Sequence, residues 1–221
     1  MLGNETSASY DISFMATLKC DLECPFCMYD SSPEKDDIID FDLLSGFIKT
    51  IDMDMVNAFG FYGGEPAVAM NLFGEVVELL PPQKPKFVIT NGAWSTNPDK
   101  TEKFLSWAKS YNMKVFVSGT KYHQKFQDLK ILEELANNGS VILKEPDSKM
   151  LPMGKLSHAH VKCSKKCLSY KCCTRIAVRP DNAIIFQNCD GVYPVIGNIG
   201  QDFGIIHQMI LDKKYNCSYM D

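Results

Sequence analysis

Hydrophobic and polar positions along the chain switch between two periods. Residues 10–17 (YDISFMAT) alternate loosely and are rich in β-formers, so they predict a first strand. Leu44, Phe47, Ile48 and Ile51 then recur at helical spacing, predicting a helix from near Asp40. Val56–Phe61 predicts a second strand, ending at Gly63-Gly64. Leu72, Val76, Leu79 and Leu80 mark the next helix, which Pro81-Pro82 ends. Lys86–Thr90 predicts strand three, followed by Asn91-Gly92. Asn97-Pro98 reads as a helix cap with proline at the first helical position, and Phe104, Leu105, Ala108 and Tyr111 as the buried face behind it. Met113–Ser118 predicts strand four. A helix carrying Phe126, Leu129, Leu132 and Leu135 follows, closed by Asn137-Asn138-Gly139, and residues 140–143 predict strand five.

Strands alternating with helices imply a parallel sheet with an active site at the strands' carboxyl ends. The chemistry-bearing residues fall at those ends: a cysteine loop after strand one, Gly63-Gly64 after strand two, Asn91 after strand three and Ser118 at the end of strand four. Beyond residue 145 the character changes. Pro146-Asp147-Ser148 and Pro152-Met153-Gly154 read as a linker, and Cys163, Cys167, Cys172, Cys173 and Cys189 follow. Among them lies a β-hairpin, 176–179 and Ala183–Phe186, around a Pro180-Asp181-Asn182 turn. A short helix from about Asp202 carries Phe203, Ile206, Met209 and Ile210. There is no internal repeat and no low-complexity segment.

With 221 residues, 45% hydrophobic and 23% charged, the chain suits one sizeable core or one domain with a small appendage. A net charge of -4 gives no global pull toward nucleic acid or membrane. No run of about 18 apolar residues is present. The start, residues 1–9, lacks the basic-then-apolar pattern of a signal peptide. The expected location is the cytoplasm. Nine cysteines in a reducing compartment point to metal ligands rather than disulfides, and the odd count leaves one thiol over, assigned to Cys217. From Ser148 to Pro180 there is no Asp or Glu, while Lys149, Lys155, Lys162, Lys165, Lys166, Lys171, Arg175 and Arg179 lie there. That stretch either balances a thiolate cluster or forms a basic lip for an acidic peptide, a nucleotide or a nucleic acid, with balance slightly preferred.

Cys20, Cys24 and Cys27 have the spacing C-x3-C-x2-C. Thiolates close together suit an iron–sulfur cluster, and three ligands leave one iron of a cubane open for chemistry. A structural zinc site would need a fourth ligand, and none is near in sequence. Asn91 and Ser118 compete with ordinary helix-capping turn residues. His123, just past strand four, reads as a proton-transfer group near the pocket or as a solvated loop residue. For the C-terminal cysteines a zinc staple is a serious competitor, with His158 and His160 read as surface residues.

The cysteine motif, followed one β/α unit later by Phe61-Tyr62-Gly63-Gly64-Glu65-Pro66, resembles the signature of the radical S-adenosylmethionine (radical SAM) superfamily. The tail, PDNAIIFQNC followed by IGNI, resembles the SPASM or shorter twitch extension of that superfamily. Together the two cover most of the chain. The resemblance implies an α/β fold, a partial (β/α)6-type barrel over residues 1–148, with a small cysteine-rich β-hairpin extension over 149–221. Only five β/α units are clear in the sequence. It further implies that Cys20, Cys24 and Cys27 hold a [4Fe-4S] cluster whose open iron chelates S-adenosylmethionine. Gly63 and Gly64 would bind the amino group of that molecule, Glu65 would orient them, and Phe26 would pack near the cluster and adenine. Asn91 and Ser118 are candidates for contacts to its sugar or methionine part. Cys163, Cys167, Cys189 and one of Cys172 or Cys173 would hold one auxiliary iron–sulfur cluster. The implied activity is one-electron cleavage of S-adenosylmethionine and hydrogen abstraction from a substrate, with flavodoxin or ferredoxin as electron donor. A peptide or protein substrate is the first choice. The alternatives are a nucleoside, nucleotide or nucleic acid, a glycyl-radical activase, and a non-catalytic zinc-binding interaction protein. Because the chain begins almost at strand one, recognition of a leader peptide is expected to need a separate partner protein.

Overall fold

The computed structural model describes residues 9–144, 175–187 and 195–212. Eight strands form one sheet: β1 (Tyr10–Phe14), β2 (Val56–Phe61), β3 (Lys86–Thr90), β4 (Met113–Ser118), β5 (Ile142–Lys144), β6 (Arg175–Val178), β7 (Ala183–Phe186) and β8 (Val195–Asn198). Their order is β5-β4-β3-β2-β1-β6-β7-β8. β1 to β5 pair in parallel, each with its sequence neighbour. Helices α1 (Phe41–Thr50), α2 (Met70–Glu78), α3 (Pro98–Ser110) and α4 (Leu129–Asn137) connect them, and α5 (Phe203–Asp212) follows β8. The helices bury against the same face of the sheet, where Ile12, Phe14, Phe59, Phe61, Val88 and Val117 meet Phe47, Val76, Phe104, Leu132 and Phe203. The opposite face carries Gly60, with the side chains of Ser13 and Phe87 packed over it. Helices on one face only leave the other as the concave side of an open barrel.

The polar caps read from the sequence do their work. Asp40 accepts the Leu43 N–H at 3.0 Å, Asn97 the Lys100 N–H at 3.0 Å and Asp128 the Ile131 N–H at 3.1 Å. The hairpin forms as β6 and β7, with Asn182 at φ 65. Asparagine tolerates that left-handed conformation, which suits a turn that closes on a bulge. β6 also pairs in parallel with β1, on the edge away from β2. The hairpin therefore extends the main sheet, and β1 sits in its interior.

Four boundaries differ from the sequence pattern. β1 ends at Phe14, after which Met15 N still donates to Val178 O and Thr17 bridges Ile38. β5 begins at Ile142, because the Ser140 and Val141 N–H groups turn back to Leu135 O behind Gly139 at φ 79. α2 buries Phe73, Val76 and Val77, with Leu80 just beyond it, and leaves Leu72 and Leu79 half-buried; Asn71, Glu75 and Glu78 line its exposed face, and Leu72 and Leu79 fall at the border between the two faces. Phe126 and Leu129 are exposed, because a short 3₁₀ turn, His123–Phe126, precedes α4, whose one fully buried residue is Leu132.

Candidate active site

The cysteine loop leaves the carboxyl end of β1 and is pinned at its base. Cys20 N donates to Ser32 O at 3.0 Å, and Leu18 N to Asp37 Oδ2 at 3.0 Å. Inside the loop, Cys27 N donates to Cys24 O at 3.1 Å, closing the C-x-x-C turn. Cys20 Sγ accepts the Leu22 N–H at 3.5 Å and Cys27 Sγ accepts the Ser31 N–H at 3.3 Å. None of the three is in a disulfide. Burial pushes the Cys20 thiol up to about 12, with the Glu65 and Asp21 charges adding to it. Coordination to a metal would deprotonate such a thiol outright.

The glycine turn after β2 is stitched to this loop. Gly64 N donates to Thr17 O at 2.9 Å, Glu65 N to Lys19 O at 2.9 Å, and Ser31 Oγ to Gly63 O at 2.7 Å. The approach requires glycine. Gly63 sits at φ +125 against Met15, and a Cβ on Gly64 would run into the Lys19 carbonyl.

Glu65, only 2% exposed, fastens the turn to the end of β3. Its Oε1 accepts Thr90 Oγ1 at 2.6 Å and Ala67 N at 3.0 Å, and its Oε2 accepts Asn91 N at 2.7 Å. Thr90 Oγ1 itself takes the N–H groups of Gly92, at 3.1 Å, and the Trp94 indole, at 2.9 Å. Both its lone pairs are used, so its own proton points to Glu65. Burial pushes the Glu65 carboxyl up to about 7, against the pull of these donors. Asn91 turns its amide back to the loop, with Nδ2 donating to Asp21 Oδ1 at 2.7 Å and lying 3.8 Å from Cys20 Sγ. Ser118, half-buried, is tied to Asn91 through Gln127, whose Nε2 donates to the backbone carbonyls of both.

The segment after β4 closes over the loop from the other side. Phe26 meets Tyr122 and His123 edge-on, at ring separations of 5.5 and 5.8 Å. Tyr122 OH donates to Glu23 O at 3.0 Å. His123 Nε2 lies 3.4 Å from Cys24 Sγ, and its Nδ1 lies 2.9 Å from Thr120 Oγ1. Burial lowers the His123 pKa.

The donor set, three thiols on one loop and none in a disulfide, suits an iron–sulfur cluster. Among the described residues no three Cys, His, Asp or Glu side chains converge closely enough to hold one metal. A cubane takes one thiolate per iron, so its ligands surround a larger group and stand further apart than those of a single ion. The structure thus brings together Cys20, Cys24, Cys27, Phe26, Gly63, Gly64, Glu65, Asn91 and, through Gln127, Ser118. Cys163, Cys167, Cys172, Cys173, Cys189, Cys217, His158 and His160 lie outside the described residues. The sequence reading missed Asp21, Thr90 and Tyr122. Each sits beside a residue it did single out, and adjacency at a strand's carboxyl end was the available signal.

No family model matches this chain, and no curated protein matches it. Solved structures do. The structure of native anSMEcpe with bound AdoMet and Cp18Cys peptide superposes with a TM-score of 0.50 at 15% identity, covering 90% of this chain and 80% of that one. Streptococcus suis SuiB bound to its precursor peptide SuiA gives a TM-score of 0.53 at 13% identity, covering 97% of this chain and 67% of that one. At these identities the likeness is one of fold. Among the described residues no helix is long and apolar enough to cross a membrane.

Proposed function

We propose that this chain is a radical SAM enzyme that modifies a peptide or protein. The observation that carries the reading is the stitching of the C-x3-C-x2-C loop to the Gly63-Gly64 turn, in which one backbone approach serves both. Cys20, Cys24 and Cys27 would hold a [4Fe-4S] cluster and leave one iron for S-adenosylmethionine. When bound, that pair supplies one-electron cleavage to methionine and a 5′-deoxyadenosyl radical, which takes hydrogen from the substrate. The chain's own residues position and shield. Gly63 and Gly64 offer bare backbone to the amino group of S-adenosylmethionine, and Glu65 keeps them in place. Asn91 steadies Asp21 beside Cys20, Phe26 would wall the cluster and adenine, and Asn91 and Ser118 are the candidates for contacts to the sugar or methionine part. An electron donor such as flavodoxin or ferredoxin would reduce the cluster. Residues 1–148 would form the barrel unit and 149–221 the extension, where Cys163, Cys167, Cys189 and Cys172 or Cys173 would hold an auxiliary cluster.

The peptide reading is preferred over the nucleotide one. The two structural neighbours named above were solved with a Cp18Cys peptide and with a precursor peptide. In the described part of the basic stretch, Arg175 faces Asp11 at 3.8 Å and Arg179 faces Asp181 at 3.0 Å.

Anaerobic reconstitution tests the proposal, comparing the wild type with a Cys20→Ala/Cys24→Ala/Cys27→Ala variant. Two cubanes predict about eight irons falling to about four, with 5′-deoxyadenosine formed by the wild type alone. Deuterated peptides, and not deuterated nucleosides, should pass their label into that product. A wild type that binds zinc, takes no iron and leaves S-adenosylmethionine intact would sink the reading.

A further inference from the structure

We propose that His123 donates a hydrogen bond to the Cys24 sulfur and so sets the reduction potential of the cluster; this rests on the reading that Cys20, Cys24 and Cys27 hold one. The donors to the three sulfurs differ in origin. Cys20 and Cys27 receive backbone N–H groups from Leu22 and Ser31, inside their own loop, and Cys20 also has the Asn91 amide Nδ2 at 3.8 Å. Cys24 faces a side chain from another part of the sheet, with His123 Nε2 at 3.4 Å.

The tautomer is set by the thiolate, with Thr120 able to accommodate it. Thr120 Oγ1 accepts the His123 backbone N–H at 3.3 Å and lies 2.9 Å from Nδ1. The backbone proton takes one lone pair of that hydroxyl, which leaves a second lone pair and the hydroxyl proton, so Thr120 can serve Nδ1 as donor or acceptor and admits both tautomers. Ligation selects between them, in favour of the imidazole proton on Nε2. A metal-bound thiolate offers only lone pairs, so an Nε2 without its proton would face lone pair against lone pair. The ring is held for this contact by Phe26, edge-on at 5.8 Å, and Tyr122, at 6.2 Å, while the Tyr122 hydroxyl bonds Glu23 O at 3.0 Å. Loop and ring are therefore fixed to each other.

Hydrogen bonds to the sulfurs are among the determinants of cluster potential. Reduction adds one electron to the cluster and moves no proton, so the Nε2–H stays on His123 in both states. It stabilises the more negative, reduced state more, and its removal should make the midpoint more negative. The expected change is about tenfold in the reduction equilibrium, which is about 59 mV for one electron.

The test is an EPR-monitored redox titration of the reconstituted full chain, without S-adenosylmethionine, for the wild type, His123→Gln, His123→Phe and Thr120→Val. Glutamine keeps an N–H at the reach of Nε2 and should stay near the wild-type midpoint. Phenylalanine keeps the ring and should fall by about the amount above. Thr120→Val, which loosens the ring, should shift the same way by less. A phenylalanine variant at the wild-type midpoint, or a glutamine variant as low as phenylalanine, would overturn the proposal. If the phenylalanine variant takes up no iron, Thr120→Val decides: a negative shift supports the donor role and an unmoved midpoint overturns it. Iron present with all midpoints equal defeats this inference alone, whereas a wild type without iron defeats the cluster reading as well.

Discussion

Among the described residues, the concave face of the sheet is sealed on one flank and open on the other. Beside β1, β6 and β7, Met15, Ala177 and Ile185 are buried under Tyr62 and Tyr29, whose rings stack at 5.8 Å. Tyr62 OH donates to Gln187 Oε1 at 2.7 Å, and Gln187 Nε2 donates to Tyr29 OH at 3.0 Å. Over β3 to β5, Phe87, Ile89, Phe116 and Ser118 are half-buried, and Ile142 and Lys144 are exposed among the described residues. Phe87 and Phe116 meet edge to face at 6.0 Å, with Lys144 Nζ 6.0 Å from the Phe116 ring. The sealed flank backs the cysteine loop and glycine turn and keeps them rigid. The open flank offers apolar and aromatic surface next to that loop. On the proposed function, rigidity where cofactor would be held and room where substrate would enter are opposite demands, and the sheet would meet them on different strands.

Emptying the sealed flank should have the largest effect on stability. Met15 is 0% exposed, and its side chain lies beneath the Gly63 turn. Met15→Ala should cost about 2–5 kcal/mol, as large-to-small core changes do. Denaturant unfolding of the cluster-free chain measures it, as a lower midpoint at unchanged slope. A loss below about 1 kcal/mol, the size of an ordinary surface change, would mean that this flank is not packed.

Glu65 joins the two flanks, since it belongs to the turn after β2 and bonds Thr90 and Asn91 at the end of β3. Its folded-state pKa is raised from 4.5 to about 7 by burial. Between those values the folded chain holds a proton that the unfolded chain has released. Its contribution to stability is therefore fully present below about pH 4.5 and lost as pH rises through about 7. Glu65→Gln removes the titration. The stability of the wild type relative to this variant should fall by about 3 kcal/mol across that window, at about 1.4 kcal/mol per pKa unit. A difference that is flat with pH would show that the Thr90, Asn91 and Ala67 donors fully offset burial.

Much of this site is legible in the sequence because it is local. The cysteine spacing, the Gly63-Gly64 pair and the position of His123 past strand four each need only a few consecutive residues and a strand end. What was not legible is set by contacts between distant segments. Tyr62 and Gln187 are 125 positions apart, and nothing near either one announces the other. The same holds for the pairing of β6 with β1: the hairpin is plain in the turn residues Pro180, Asp181 and Asn182, but the edge it joins is chosen by packing. Thr90 ends an ordinary β-former run, and only the fold gives its hydroxyl three partners.

The smallest stability effect belongs to the open flank. Ile142 is 46% exposed, on the side of β5 that its register with Phe116 turns toward the concave face. Ile142→Ala should leave stability within about 0.5 kcal/mol, as for surface changes away from special features. If the open flank receives substrate, the same variant should raise KM for a peptide more than it lowers kcat, since it removes apolar contact made equally in the bound and transition states. Cleavage of S-adenosylmethionine without peptide should be unchanged, because the cysteine loop and glycine turn rest on the other flank. A stability loss above about 2 kcal/mol, the range of buried truncations, would show instead that this face is packed in the full chain, and substrate would then have to enter elsewhere along the carboxyl rim of the sheet.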